Sequence, residues 1–351
     1  MARILYAASG DGYGHAVRAH SVGLGLLSRG HEVRFLSSGK GRDYLRRQFD
    51  GRVHGVFGLN TVYIEGRAEP LRTVLQNARK ALTGLRPSNR AVRELLQTFR
   101  PDLVITDFEP FSAFWAMRLG IPYVSLDNQH LLTHCRIDHP PGFARDLLAA
   151  YCTIRLYFAS ARRYLITSFI KAPIRYHPTT LVDPILRPKV YATPVRSGDF
   201  LLAYKGAGGS NDGMRAELER FDRVPIRAYG FGVTGRRGHI EHKPIDSDEF
   251  VEDLSSCAGV IASAGHSLVG ECLHFRKPML LIPIAQQYEQ VLNARSIERM
   301  GAGRSVDRLT AAAMDEFLGG LDGFRDSMKD RPPARLEPVL DAIEAELPAI
   351  G

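Results

Sequence analysis

The chain has 351 residues, 44% of them hydrophobic and 24% charged, with a formal net charge of +8. That balance excludes a disordered or low-complexity chain and leaves apolar material for one large core or two ordinary ones, two being expected. The four cysteines form no CxxC pair, so no zinc pattern arises, and no apolar run approaches the ~18 residues of a membrane span.

The positive charge suits anionic partners, a nucleotide or an acidic surface, or serves solubility alone. Nucleic acid is not expected, because no aromatic-basic platform accompanies the charge. The sequence enters an apolar strand, Arg3 to Ser9, with no signal-type stretch before it, so a cytoplasmic setting is expected. A glycine loop, Gly10-Asp-Gly-Tyr-Gly14, carries His15 at its end. Val17 to Ser28 is helical and stops at Gly30. His31 to Leu36 is a second strand and Arg52 to Leu59 a third. Ala91, Val92, Leu95, Leu96 and Phe99 have the spacing of one buried helical face within Ser88 to Arg100, and Pro101 ends that helix. Asp102 to Asp107 is a strand ending in an acid. Phe111 to Leu119 is a helix and Pro122 to Leu126 a strand. This rhythm predicts a parallel sheet with helices on both faces, whose ligands sit at the carboxyl ends of the strands.

The middle differs. Between Phe143 and Lys171, the residues Leu147, Tyr151, Ile154, Phe158 and Leu165 fall on one helical face, ringed by Arg145, Arg155, Arg162, Arg163 and Lys171. Two readings stay open: a core helix with a solvated basic face, which is preferred, and a helix lying on a membrane surface. Tyr164 to Ser168 reads as a strand. Prolines then thicken at Pro173, Pro178, Pro184, Pro188 and Pro194 and mark a linker. Residues 1–172 are expected to form one domain and 173–333 another, with a helix within 334–351 able to pack back on the first.

The same grammar then restarts. Asp199 to Tyr204 is a strand followed by a glycine-rich loop, Lys205 to Asp212, and a helix with Met214, Leu218 and Phe221. Val224 to Tyr229 is a strand ending at Gly230-Phe-Gly232. Arg236-Arg237 reads as a solvated loop, and Phe250 to Ser256 as a short helix. Gly259 to Ser263 is a buried strand, Ala264-Gly265 a tight turn, and a helix starts near His266-Ser267 with Ser267 as its expected cap. Arg276-Lys277-Pro278 ends it, and Met279 to Pro283 is another buried strand. A helix opening at a strand's carboxyl end offers unpaired N–H groups and a positive dipole end, which suits a phosphate. Gln290 to Arg299, Thr310 to Leu321 and Glu337 to Leu347 are helices.

In this order the features resemble the GT-B glycosyltransferases over almost the whole chain. The segment Ser263 to Gly301 is similar to the donor signature of the UDP-glycosyltransferases and MurG-like enzymes. The phrases Gly12-Tyr-Gly-His15 and Asp107-Phe-Glu-Pro110 fit the group related to teichoic acid biosynthesis. The resemblance implies an α/β fold of two Rossmann-like domains whose parallel sheets face an interdomain cleft. It further implies a UDP-sugar donor held by the C-terminal domain, a hydroxyl acceptor held largely by the N-terminal one, and no cofactor or catalytic metal. Ser263, Gly265, His266 and Ser267 match the turn that binds the donor phosphates. Glu271 matches the acid that accepts the ribose hydroxyls, and Glu289 with Gln290 the pair that grips the sugar. Gly230, Phe231 and Gly232 lie where the base is held, and Gly208, Gly209 and Ser210 on a loop facing the phosphates. The plant-type tryptophan at the start of the signature is absent, since the single tryptophan is Trp115, and the sugar-gripping acid is Glu rather than Asp.

Sugar transfer to a hydroxyl needs a base, a stabilised leaving group and alignment. His15, after the first strand, is the candidate base. Asp107 ends a neighbouring strand and would fix its tautomer, with Glu109 as alternative partner or base. Inversion follows from the resemblance and from this single-base arrangement. The acceptor is undefined; a basic, aromatic N-terminal half admits a lipid-linked or cell-wall acceptor and peripheral contact at the inner face of the membrane, as well as a small soluble one. Three rivals stand beside this reading. Gly10-Asp-Gly-Tyr-Gly-His15 begins like a dinucleotide fingerprint but has His at the third glycine, and only Ser38 and Lys40 would suit an NADP phosphate. A nucleotide-sugar 2-epimerase would share the fold, as would a non-catalytic nucleotide-sugar-binding protein.

Overall fold

A computed structural model describes residues 1–10, 13–58, 63–64, 67–68, 86–139, 142–157, 161–206, 211–245, 249–284 and 287–348. The expected donor-loop residues Gly208, Gly209 and Ser210 lie outside the described residues, as does Phe158. The chain divides into two compact units. One comprises Met1–Val62, Glu69–Pro188 and Arg335–Gly351; the other comprises Tyr63–Ala68 and Lys189–Ala334.

Among the described residues the first unit is built on a seven-stranded sheet in the order Val53–Gly55, Glu32–Ser37, Arg3–Ala8, Leu103–Asp107, Tyr123–Asp127, Arg163–Thr167, Thr179–Val182. Every neighbouring pair is parallel. Leu103–Asp107 and Tyr123–Asp127 are buried at every position, and both faces of such strands are covered. The chain leaves Arg3–Ala8 towards one edge and returns on its other side at Leu103–Asp107. Their carboxyl ends flank the point where strand order reverses, the usual ligand site of open α/β sheets.

The second unit repeats the plan. Its sheet runs Gly235–Arg237, Ile240–Lys243, Ile226–Tyr229, Leu201–Tyr204, Gly259–Ala262, Met279–Leu281, Gly303–Ser305, and the reversal lies between Leu201–Tyr204 and Gly259–Ala262. One pair, Gly235–Arg237 with Ile240–Lys243, is antiparallel. Arg236 and Arg237 thus belong to an exposed edge strand rather than a loop, and charge on such an edge discourages further pairing. Leu201, Ile226, Ile261 and Leu280 pack with Met314 and Phe317 in this unit's core.

Three further sequence expectations differ from the fold. The proline-rich segment is not a linker throughout: Thr179–Val182 pairs with Arg163–Thr167, so the division falls at Pro188 and not at 172. The apolar face read through residues 143–171 is broken, because the helix Ala144–Tyr157 ends before Leu165, which is a strand residue. In that helix Ile154 is buried while Leu148 is 63% exposed. Finally, His15 is not on a loop: the first helix spans Gly14–Ser28 and takes His15 into its opening turn.

The last helix, Glu337–Glu344, places Val339, Leu340 and Ile343 in the first unit's core with Val22, Leu26 and Phe35. Gly25 makes room for it, since a Cβ there would come within 2.6 Å of Leu340 Cδ1. Arg29 binds Asp341 at 2.7 Å, and His31 Nε2 meets Glu344 at 2.8 Å.

Candidate functional site

Each unit gathers its candidate residues at the carboxyl edge of its own sheet. In the first, Ala8 and Asp107 are level in adjacent strands, and Ser9 N donates to Asp107 O at 2.9 Å. His15 Nδ1 lies 2.7 Å from Asp107 Oδ1, with the His15 side chain 14% exposed and Asp107 wholly buried. The ring of Phe108 stacks on His15 at 6.3 Å. Phe108 itself sits at φ 58, a conformation that costs a non-glycine residue about 1–3 kcal/mol and clusters at functional sites.

The sequence reading missed Arg18. It follows His15 by one helical turn and closes on the same carboxylate, Nε to Oδ2 at 2.9 Å and Nη2 to Oδ1 at 2.7 Å. The i,i+3 spacing of two polar residues on an otherwise apolar helix was the available signal. Tyr6 also donates to Oδ2, at 3.3 Å, and Arg18 Nη1 reaches Asn128 Oδ1 at 3.3 Å. Burial alone would push the Asp107 carboxyl up; the charges of Arg18 and His15 outweigh it and hold the group below its ordinary value. With the ring proton on Nδ1, the ionised Asp107 accepts it and Nε2, on the opposite edge of the ring, is left unprotonated.

Glu109 has another task. It is the N-cap of the helix Pro110–Leu119, and its two oxygens accept from Phe111 N at 3.0 Å and Ser112 N at 2.7 Å. Burial raises its carboxyl above the usual value, and these bonds pull it partly back. Both its oxygens are thus engaged in capping that helix.

A separate buried pair lies further along this edge. Asp127 takes His130 Nδ1 at 2.8 Å and Ser125 Oγ at 2.7 Å. The His134 ring lies tilted against Tyr164 at 4.1 Å, and burial, with His130 nearby, pushes His134 down to about 4.

In the second unit Tyr204, Tyr229 and Ala262 end their strands in register. Lys205 N donates to Tyr229 O at 2.9 Å. Gly230 stands at φ +86, and a Cβ there would lie 2.1 Å from Lys205 O, so only glycine fits. A Cβ on Gly206 would be 3.7 Å from Ser263 Oγ, which puts these loops side by side. Phe231 is buried against His242, and Gly232 follows at φ +72.

The helix His266–His274 starts at Gly265, its N-cap, with no side-chain cap. Ser267 is therefore inside the first turn and is not the cap. With no side-chain cap, the helix presents its positive dipole end here, the arrangement that favours an anion. Asn293 Nδ2 donates to Ala264 O at 2.9 Å and braces this turn, a role the local sequence did not reveal. His266 and Ser267 are half-buried, and Glu271 is wholly buried one turn on. Glu289 is half-buried in the first turn of the helix Tyr288–Arg299. Gln290 serves its own loop: Oε1 accepts from Ile284 N at 3.0 Å, and Nε2 donates to Gln287 Oε1 at 2.6 Å.

The comparisons with known proteins agree with this layout. The profile described as glycosyl transferase family 1 matches residues 2–322. The UDP-N-acetylglucosamine–N-acetylmuramyl-(pentapeptide) pyrophosphoryl-undecaprenol N-acetylglucosamine transferase of Geobacillus thermodenitrificans is 27% identical over 306 residues, 79% of this chain and 78% of that protein. Among solved structures, the glycotransferase of kitacinnamycin superposes with a TM-score of 0.67 at 16% identity, covering 99% of both chains. MurG of Acinetobacter baumannii does so at 0.62 and 14%, covering 98% of this chain and all of that one. The oxidoreductase, epimerase and non-catalytic readings gain nothing from these matches. Two mostly parallel sheets with matching reversal points give the GT-B fold, and with a profile spanning nearly the whole sequence the chain belongs to glycosyl transferase family 1.

Proposed function

We propose that this glycosyltransferase moves a sugar from a UDP-sugar to a hydroxyl acceptor with inversion, His15 acting as general base. The observation that carries this is the 2.7 Å contact of His15 Nδ1 with a buried, ionised Asp107 at the strand-order reversal of the first sheet. His15 Nε2 takes the proton of the acceptor hydroxyl. The oxygen attacks the anomeric carbon from the side opposite the diphosphate, and the bond from that carbon to the phosphate oxygen breaks with its electron pair leaving on UDP. Asp107 supports the imidazolium that forms. The uncapped start of His266–His274 receives charge developing on the leaving phosphate, so the step as written uses no metal. Glu271 receives the ribose hydroxyls, Glu289 the sugar hydroxyls, and Gly230 to Gly232 the base.

The name of the Geobacillus relative gives a pyrophosphoryl-undecaprenol acceptor. That supports a lipid-linked acceptor here, met at the cytoplasmic membrane face. Among the described residues no helix is long and apolar enough to cross a membrane.

Calorimetric titration with UDP, GDP, TDP and NADP tests the donor, and UDP is expected to bind tightest. Glu271→Ala should weaken UDP at least tenfold, the loss of a charged hydrogen-bond acceptor worth about 1.5–3 kcal/mol. His15→Ala should abolish transfer while leaving UDP affinity intact. Preference for NADP, or normal turnover by the His15 variant, would sink the reading.

A further inference from the structure

The Asp107 carboxylate is shared. Arg18, with its side chain 4% exposed, grips it as a fork from the same helix that carries His15. Oδ1 meets both Arg18 Nη2 and His15 Nδ1 at 2.7 Å, and Nη2 itself lies 2.9 Å from His15 Nδ1. Nη2 can only donate, so with the ring proton on Nδ1 the arginine acts on the imidazole through Asp107 and not by a bond of its own.

We infer that Arg18 is a positioning residue for the transfer proposed above, holding Asp107 ionised and oriented so that His15 keeps its proton on Nδ1 and presents an unprotonated Nε2 to the acceptor hydroxyl. This rests on His15 being the base. A wholly buried carboxylate with no countercharge takes up a proton. A protonated Asp107 could donate to His15 Nδ1, which would move the ring proton to Nε2 and remove the base. Arg18 prevents this by charge. Its planar fork also fixes the rotation of the carboxylate, which a point charge would not.

Among the described residues, these groups face the pair. The helix supplies Arg18 and His15, the strand Arg3–Ala8 supplies Tyr6, and the neighbouring strand end supplies Asn128. Asp127 acts on Arg18 and Tyr6 through space and is itself held ionised, against burial, by His130.

Nitrogen-15 NMR of the intact, substrate-free chain reads the tautomer directly, with His15 assigned by the signal lost in His15→Ala. The wild type should show Nδ1–H with Nε2 unprotonated. Arg18→Met should mix or reverse the tautomers and move the Asp107 carboxyl titration, followed by carbon-13, up by more than about one unit. It should lower kcat about 10- to 100-fold, part of the about 10²–10⁴ of a general base, with KM unchanged. Arg18→Lys keeps the charge without the fork and should restore the Asp107 ionisation and part of kcat. A wild-type His15 protonated on Nε2 overturns the inference without any variant. So does an Arg18→Met protein with unmoved tautomer and unmoved Asp107 titration. Should Arg18→Met not fold, the wild-type spectrum and the Arg18→Lys titration decide. These spectra need no substrate, so failure of every UDP-sugar to turn over would count against the function and leave the Arg18 result readable.

Discussion

Asp107→Asn separates the charge of Asp107 from its shape. The amide fills the same volume, but Arg18 stays buried and loses its counterion. Removing one partner of a buried pair costs about 3–5 kcal/mol. The amide oxygen still accepts one bond from the guanidinium, worth about 1.5 kcal/mol, so a net loss of about 1.5–3.5 kcal/mol is expected. Trp115, the single tryptophan, lies in the helix Pro110–Leu119 of the first unit, and its fluorescence follows that unit's unfolding. With an m value of about 2–3 kcal/mol/M in urea, the midpoint should fall by about 1 M at pH 7. The pH dependence has a definite sign. The folded value of Asp107 lies below the unfolded one, so its contribution is complete above about pH 4 and is lost as pH drops through the depressed value. The gap between wild type and variant should therefore close on acidification. A shift under about 0.3 M, the size of an exposed pair, or a gap that widens with acid, would refute the reasoning.

Glu109→Gln should cost about 1 kcal/mol in the same Trp115 transition, as for a weakened N-cap, while kcat escapes the loss of about 10²-fold or more expected of a general base. A collapse of turnover measured on folded Glu109→Gln would restore its catalytic reading. Gly230→Ala meets both φ +86 and the Lys205 carbonyl at 2.1 Å. It should destabilise the second unit by about 1–3 kcal/mol or more, lowering the far-UV melting temperature while the Trp115 transition stays put; an unchanged melt contradicts it. Leu340→Ala should cost about 2–5 kcal/mol in the Trp115 transition, although Leu340 lies far along the sequence from Trp115. No change there would mean that the last helix does not stabilise the first unit.

Much of this was legible in the sequence because central strands of parallel sheets are covered on both faces. Leu103–Ile105 and Gly259–Ala262 have no polar alternation to obscure them, and they read as unbroken apolar runs. Strand ends then located His15, Asp107, Ser263 and Gly265, since a parallel sheet places its polar residues at its carboxyl edge. Short strands between breakers were not legible: Thr179–Val182 sits between Pro178 and Pro184, and its identity comes from pairing with Arg163–Thr167. Glu109 read as an alternative partner or base for His15, and the structure shows the helix after it claiming both oxygens. Ser267 looked like a cap until the helix began at Gly265.

The sequence by itself thus determined two α/β units, their elements in outline, and the loops that carry the polar residues, because hydrophobic period and glycine placement are local. The tertiary structure alone decided who shares Asp107. Arg18 and Asp107 are 89 positions apart, and no local pattern announces that their side chains meet. Burial then gives the meeting its consequence: away from water the carboxylate stays ionised through the arginine beside it, and the histidine is oriented by that pair.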